Sequence, residues 1–156
     1  SLHYSATGTF VLDELQALGE RTEDSNAGQP DSVALRGDLA PVRQAAGRLR
    51  DRAAASEAAL SSALAAGSLS RERELAADQA LISVERQFLG TGLPKREWFR
   101  NELVAPGLNT GYAPVTLPRL GQALLDKDRA AYAAGAKPIE EALDRAAKVL
   151  GSISGP

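Results

Sequence analysis

With 156 residues, 44% of them apolar but only 4% aromatic, the chain has enough material for one core built mainly from aliphatic side chains and alanine. A formal charge of −2 with acids and bases interspersed leaves no basic stripe for nucleic acid, and no run of about 18 apolar residues spans a bilayer. The absence of cysteine excludes disulfides, thiolate metal ligands and a cysteine nucleophile.

From Gly8 to Arg21, Val11, Leu15 and Leu18 fall at i, i+4 and i+7, the stripe of a short amphipathic helix. The polar stretch 22–32, with Gly28 and Pro30, reads as an exposed loop within the domain. A second helix follows, with Asp38 as its expected cap and Pro41 tolerated in its first turn. Its Leu39, Val42, Ala46, Leu49, Ala53, Ser56, Leu60 and Ala63 make a 3-4 seam, small enough for a partner helix to come close, and Gly67 ends it. Ser70 caps a third helix, which sets Leu81, Val84 and Phe88 on one face with Leu75, Ile82 and Leu89 beside it, and Gly90 closes it.

Residues 90–116 lose the helical period. Gly92, Pro94, Pro106, Gly107, Gly111 and Pro114 punctuate a stretch that also holds Trp98, Phe99 and Tyr112, which predicts a long ordered loop with the two adjacent aromatics as packed anchors. Arg100 is expected to hold loop carbonyls or a carboxylate. Thr116 is the expected cap of a fourth helix opened by Pro118, with Leu117, Leu120 and Leu124 inward. A last amphipathic stretch carries Ile139, Leu143, Val149 and Leu150, started or kinked by Pro138. The expected fold is all-α, an up-down bundle of four to five helices forming one domain over residues 1–156.

Catalytic chemistry finds little support. Zinc wants about four ligands from His, Cys, Asp and Glu, and the chain has one histidine, His3, and no cysteine. A Ser-His-Asp arrangement would depend on the same His3, and no Gly-x-Ser-x-Gly elbow is present. The carboxylate pairs Glu72/Glu74 and Glu140/Glu141 sit beside Arg or Lys on polar helix faces and read as solvated. Arg36-Gly37-Asp38 matches an integrin-type tripeptide, but Asp38 is already accounted for as a cap. No catalytic residue and no metal or other cofactor site is expected within this domain.

The run 84–118, VERQFLGTGLPKREWFRNELVAPGLNTGYAPVTLP, resembles the transferrin receptor-like dimerisation domain of the glutamate carboxypeptidase and transferrin receptor family. The parallels are the Val-Glu-Arg-x-Phe-Leu helix end, the Gly-Leu-Pro turn, the aromatic-Phe-Arg segment, the Ala-Pro-Gly loop followed by Tyr112, and the Pro-opened helix. The resemblance implies a piece of a longer protein whose zinc ligands and catalytic glutamate lie in an upstream protease domain, while the helical domain forms a homodimer and lends a loop to the rim of the peptide-substrate pocket. It places Asn109, Gly111 and Tyr112 on that rim, the Tyr112 hydroxyl donating to the terminal carboxylate of a glutamate-like substrate. Gly111 stands where glutamate-preferring members carry lysine, removing a charge-assisted bond of about 1.5–3 kcal/mol. Such a parent is expected to be secreted, periplasmic or membrane-anchored. Two rival readings follow from the same residues: the dimerisation domain of a catalytically inactive receptor-like homologue, or a free-standing helical module that uses the Leu39 to Ala63 seam to bind a partner.

Overall fold

The computed structural model describes residues 4–25, 39–107 and 113–153. Among them are five helices, α1 (Tyr4–Ser25), α2 (Ala40–Ala65), α3 (Arg71–Gln87), α4 (Pro118–Leu125) and α5 (Arg129–Ile153), and a two-stranded antiparallel ribbon of β1 (Val104–Pro106) and β2 (Pro114–Thr116). The fold is all-α, with the ribbon as its one departure among the described residues.

The helices form where the apolar spacing demands. On α1, Tyr4, Val11, Leu15 and Leu18 are buried, and Gly8 lies so close to the Arg50 backbone that a Cβ there would sit 2.7 Å from the Arg50 nitrogen. Gly19 meets Arg43 further along, so α1 and α2 run antiparallel. The expected α2 seam is buried through Ser56, with Ala45 added, while Leu60 and Ala63 are only half-buried. Alanine at three of the six buried α2 positions lets α5 approach closely.

α5 is the helix against which α2, α3 and α4 all pack. Tyr132, Ala136, Ile139, Ala142, Leu143, Ala146, Ala147 and Leu150 are buried along it at 3-4 spacing. Arg48 pairs with Asp144, and the Ser56 hydroxyl donates to the Leu150 carbonyl at 2.7 Å, so α2 and α5 run parallel. Arg145 donates to the Gln87 carbonyl at the far end of α3, whereas Leu81 shares a cleft with Leu150, so α3 runs antiparallel to α5. The chain therefore goes up, down, up and down through α1, α2, α3 and α5. No described helix is long and apolar enough to cross a membrane.

Several local details differ from expectation. α1 continues to Ser25, because no glycine or proline interrupts it before Gly28; the rest of the expected 22–32 loop lies outside the described residues. Asp38 is also outside them, and the α2 N-cap position is held by Leu39 with no side-chain cap bond. Ser70 does cap α3, accepting from the Arg73 amide at 3.3 Å, and Gly67 takes positive φ just past α2. α3 stops at Gln87 with Phe88 as C-cap, short of Gly90. Leu117, not Thr116, is the N-cap of α4, in the left-handed region at φ 45°. α5 begins at Arg129, where the Asp128 carboxylate accepts from the Ala131 amide, and Pro138 sits within it rather than starting it.

Candidate functional site

Specific bonds hold the described residues between α3 and α4, 88–107 and 113–117. Beyond Phe88 the chain doubles back: Gly90 donates to Arg100, Leu93 to Phe99, and Glu102 returns to the Phe88 carbonyl at 2.9 Å. Leu93 fills the inside of this turn at 2% exposure. Gly92 takes φ 118°, and a Cβ there would meet the Glu97 carbonyl at 2.4 Å, so only glycine fits. Arg100 donates from Nε to the Gly90 carbonyl at 2.8 Å, the carbonyl-holding role expected of it. The Asn101 Oδ1 accepts from the Leu103 and Val104 amides, an Asx-type turn that launches β1.

The two aromatics divide. Phe99 is half-buried and carries the Arg96 guanidinium 5.4 Å from its ring centre, with Arg96 also donating to the Pro106 carbonyl. Trp98 is 74% exposed, so it is not the packed anchor that its size suggested. That anchoring falls to Leu93 and Arg96 instead.

A buried ion pair fixes the base of the ribbon. Glu102 is fully buried, and Arg119, in the first turn of α4, reaches it through Nε to Oε2 at 2.6 Å and Nη2 to Oε1 at 3.0 Å, while the same Nη2 donates to the Gly92 carbonyl. Gly90 makes room for the carboxylate, since a Cβ there would lie 1.9 Å from Oε1. The other foot is tied to the bundle by the Thr116 hydroxyl donating to Glu14 on α1, and by Leu117 donating its amide to the Leu103 carbonyl. Sequence reading missed the pair. Its signal was a lone carboxylate ahead of the apolar run Leu103-Val104-Ala105 and a lone guanidinium just after Pro118.

The expected irregular loop over 90–116 thus ends in a ribbon. Val104 faces Thr116, Ala105 faces Val115 and Pro106 faces Pro114, with Gly107 donating to the Ala113 carbonyl. Three-residue strands are too short to print a period-2 pattern, and the two prolines sit opposite one another at the end of the ladder that leads into the connecting segment. Asn109, Gly111 and Tyr112, expected on the pocket rim, fall between Gly107 and Ala113 and lie outside the described residues. Among the described residues no three His, Cys, Asp or Glu side chains gather as a metal site.

The transferrin receptor-like dimerisation domain family matches residues 34–151, most of the chain and every described element from α2 to α5. The chain belongs to this family. A probable glutamate carboxypeptidase from Arthroderma benhamiae is 58% identical over 33 residues, 21% of this chain. That match spans 4% of the curated relative's length. In the dimerisation domain described here, the bundle is the scaffold and the ribbon rooted on Glu102 and Arg119 is its most specifically braced projection.

Proposed function

We propose that this domain holds two copies of a carboxypeptidase-like zinc hydrolase together as a homodimer, supplies no catalytic group itself, and extends the 104–116 ribbon to the rim of the substrate pocket. The observation that carries the reading is the family match over residues 34–151, and the local identity to a probable glutamate carboxypeptidase supports the hydrolase parent. In this reading zinc and its ligands belong to the upstream protease domain. Asn109, Gly111 and Tyr112 contact the peptide substrate only in the intact protein, at the end of a ribbon whose feet are bonded to α1, α3 and α4. A rigid base is what a substrate-contacting loop requires.

Light scattering over a concentration series tests the first half, with a dimer expected. Hydrolysis of an acylated glutamate peptide tests the second: the chain alone is inactive with or without zinc, and the parent with its protease domain is active. Turnover by the metal-stripped chain would refute the non-catalytic assignment. In the active parent, Tyr112→Phe raises KM by about tenfold through loss of one hydrogen bond to a charged group, with kcat little changed. An unchanged KM removes Tyr112 from the rim.

A further inference from the structure

Arg96 is a buried cation that no carboxylate among the described residues neutralises. It lies between α3 and β1 and is 8% exposed. Its guanidinium sits over the Phe99 ring, and Nη1 donates to the Pro106 carbonyl, a neutral acceptor. Nε is buried and has no hydrogen-bond partner. Buried charges are normally paired and buried donors normally bonded, so a bare donor on a buried guanidinium calls for an acceptor from outside.

The bare edge is the one that takes carboxylates. A guanidinium offers two parallel donors to the two oxygens of a carboxylate. Arg48 grips Asp144 through Nε and Nη2, and Arg119 grips Glu102 through the same two nitrogens. In Arg96 only Nη1, the nitrogen outside that fork, is engaged. The bond to Pro106 therefore fixes the side chain and leaves its recognition edge open. Local carboxylates are placed elsewhere: Glu102 is held by Arg119, Asp126 by Lys95, and Glu97 is exposed with no ion pair among the described residues. Residues 108–112, which follow this part of the ribbon, contain no Asp or Glu.

We propose that the Nε–Nη2 edge of Arg96 is a binding site for the carboxylate of a small molecule. A planar anion with two oxygens satisfies both donors, whereas a halide meets the charge and leaves the fork half used. A recessed edge at the end of a narrow ribbon admits a free carboxylate more readily than one carried on a protein face. Because the same guanidinium holds Pro106, occupancy bears on the residues that lead into 108–112. The site depends on neither the hydrolase nor the dimerisation reading.

The Arg96 Nε–H resonance of the nitrogen-labelled, unsubstituted chain reports the site directly, once assigned by through-bond correlation from its own backbone. Acetate titrated against chloride at constant ionic strength should move that resonance saturably, with half-saturation on the order of 1–10 mM for two charge-assisted bonds. The Arg119 Nε–H, already on Glu102, should stay in place. Arg96→Lys keeps the charge but loses the fork, and should weaken acetate binding at least about fivefold, followed at the Leu93 and Gly107 amides. A resonance that acetate does not move saturably overturns the proposal, as does an equal response to chloride, which would make Arg96 a general anion contact. Undiminished acetate binding by a folded Arg96→Lys chain would place the site elsewhere. A resonance unmoved by acetate but shifted when a polypeptide docks would assign the edge to a protein carboxylate and also refute the small-molecule site.

Discussion

Replacing Arg119 with methionine would leave the Glu102 carboxylate buried without its only side-chain partner among the described residues. Glu102 is fully buried, Arg119 is 14% exposed on its side chain, and both carboxylate oxygens are engaged. Stranding one member of such a pair typically costs about 3–5 kcal/mol, because the desolvation of the remaining charge is no longer offset. Against a total stability of about 5–15 kcal/mol, that is a large fraction. Arg48 and Asp144 form an equally well-aligned bidentate pair but are 49% and 42% exposed, and breaking theirs should cost at most about 1 kcal/mol. Urea unfolding followed by circular dichroism measures both. Adding Glu102→Gln to Arg119→Met should recover part of the loss by removing the buried charge. A loss below about 1 kcal/mol for Arg119→Met, or a double variant no more stable than the single, would show that the pair is solvated and does not brace the ribbon.

Gly90→Ala forces a methyl group into the space held by Glu102 and should cost more than the usual overpacking loss of about 1–3 kcal/mol, read in the same urea experiment; a neutral result would mean that Glu102 moves freely. Ser70→Ala removes the α3 cap and should cost about 0.5–2 kcal/mol, with Ser70→Asp retaining most of the stability. Burial, followed by the charge and hydrogen bond of Glu85, pushes the Tyr4 hydroxyl up to about 12 from its ordinary 10.0. A raised acid releases its proton later in the folded state than in the unfolded one, so its contribution is intact below pH 10 and is lost as pH rises toward 12. The alkaline loss attributable to Tyr4 should be on the order of 1–2 kcal/mol after allowance for solvent screening, and Tyr4→Phe should remove it; equal slopes for the two proteins above pH 10 would contradict the assignment.

How much of this could be read from sequence depends on the range over which each feature repeats. α2 and α5 are long, and their 3-4 spacing survives any uncertainty at the ends, so Val42, Leu49, Ile139 and Leu143 were legible as core. Ser70 was legible because its cap bond is local. Thr116 was misassigned by one position: Leu117 is the N-cap in a left-handed conformation, and the Thr116 hydroxyl instead donates to Glu14, 102 residues away in sequence, a contact that local capping rules cannot foresee. Trp98 failed for a related reason: the area an aromatic can bury says nothing about which way a tight turn points it. Leu75, Ile82 and Leu89 were placed beside the core face of α3, but only the fold shows that α5 reaches Val84 and Phe88 and leaves that flank bare.

The arrangement around α5 also sets the order in which the fold can assemble. α1 and α2 can associate as soon as both exist, since their contact is antiparallel between helices adjacent among the described elements. α3 and α4 have their main helix contacts with α5, as does the alanine seam of α2, so those surfaces stay wet until α5 is made. The parallel docking of α2 on α5 closes a loop that includes α3, the braced ribbon and α4, an entropic cost met before any of its contacts form. Folding of this domain should therefore be slow for a helical protein and nearly all-or-none. A ribosome-bound chain that stops short of α5 should be a chaperone client, not a partly finished bundle.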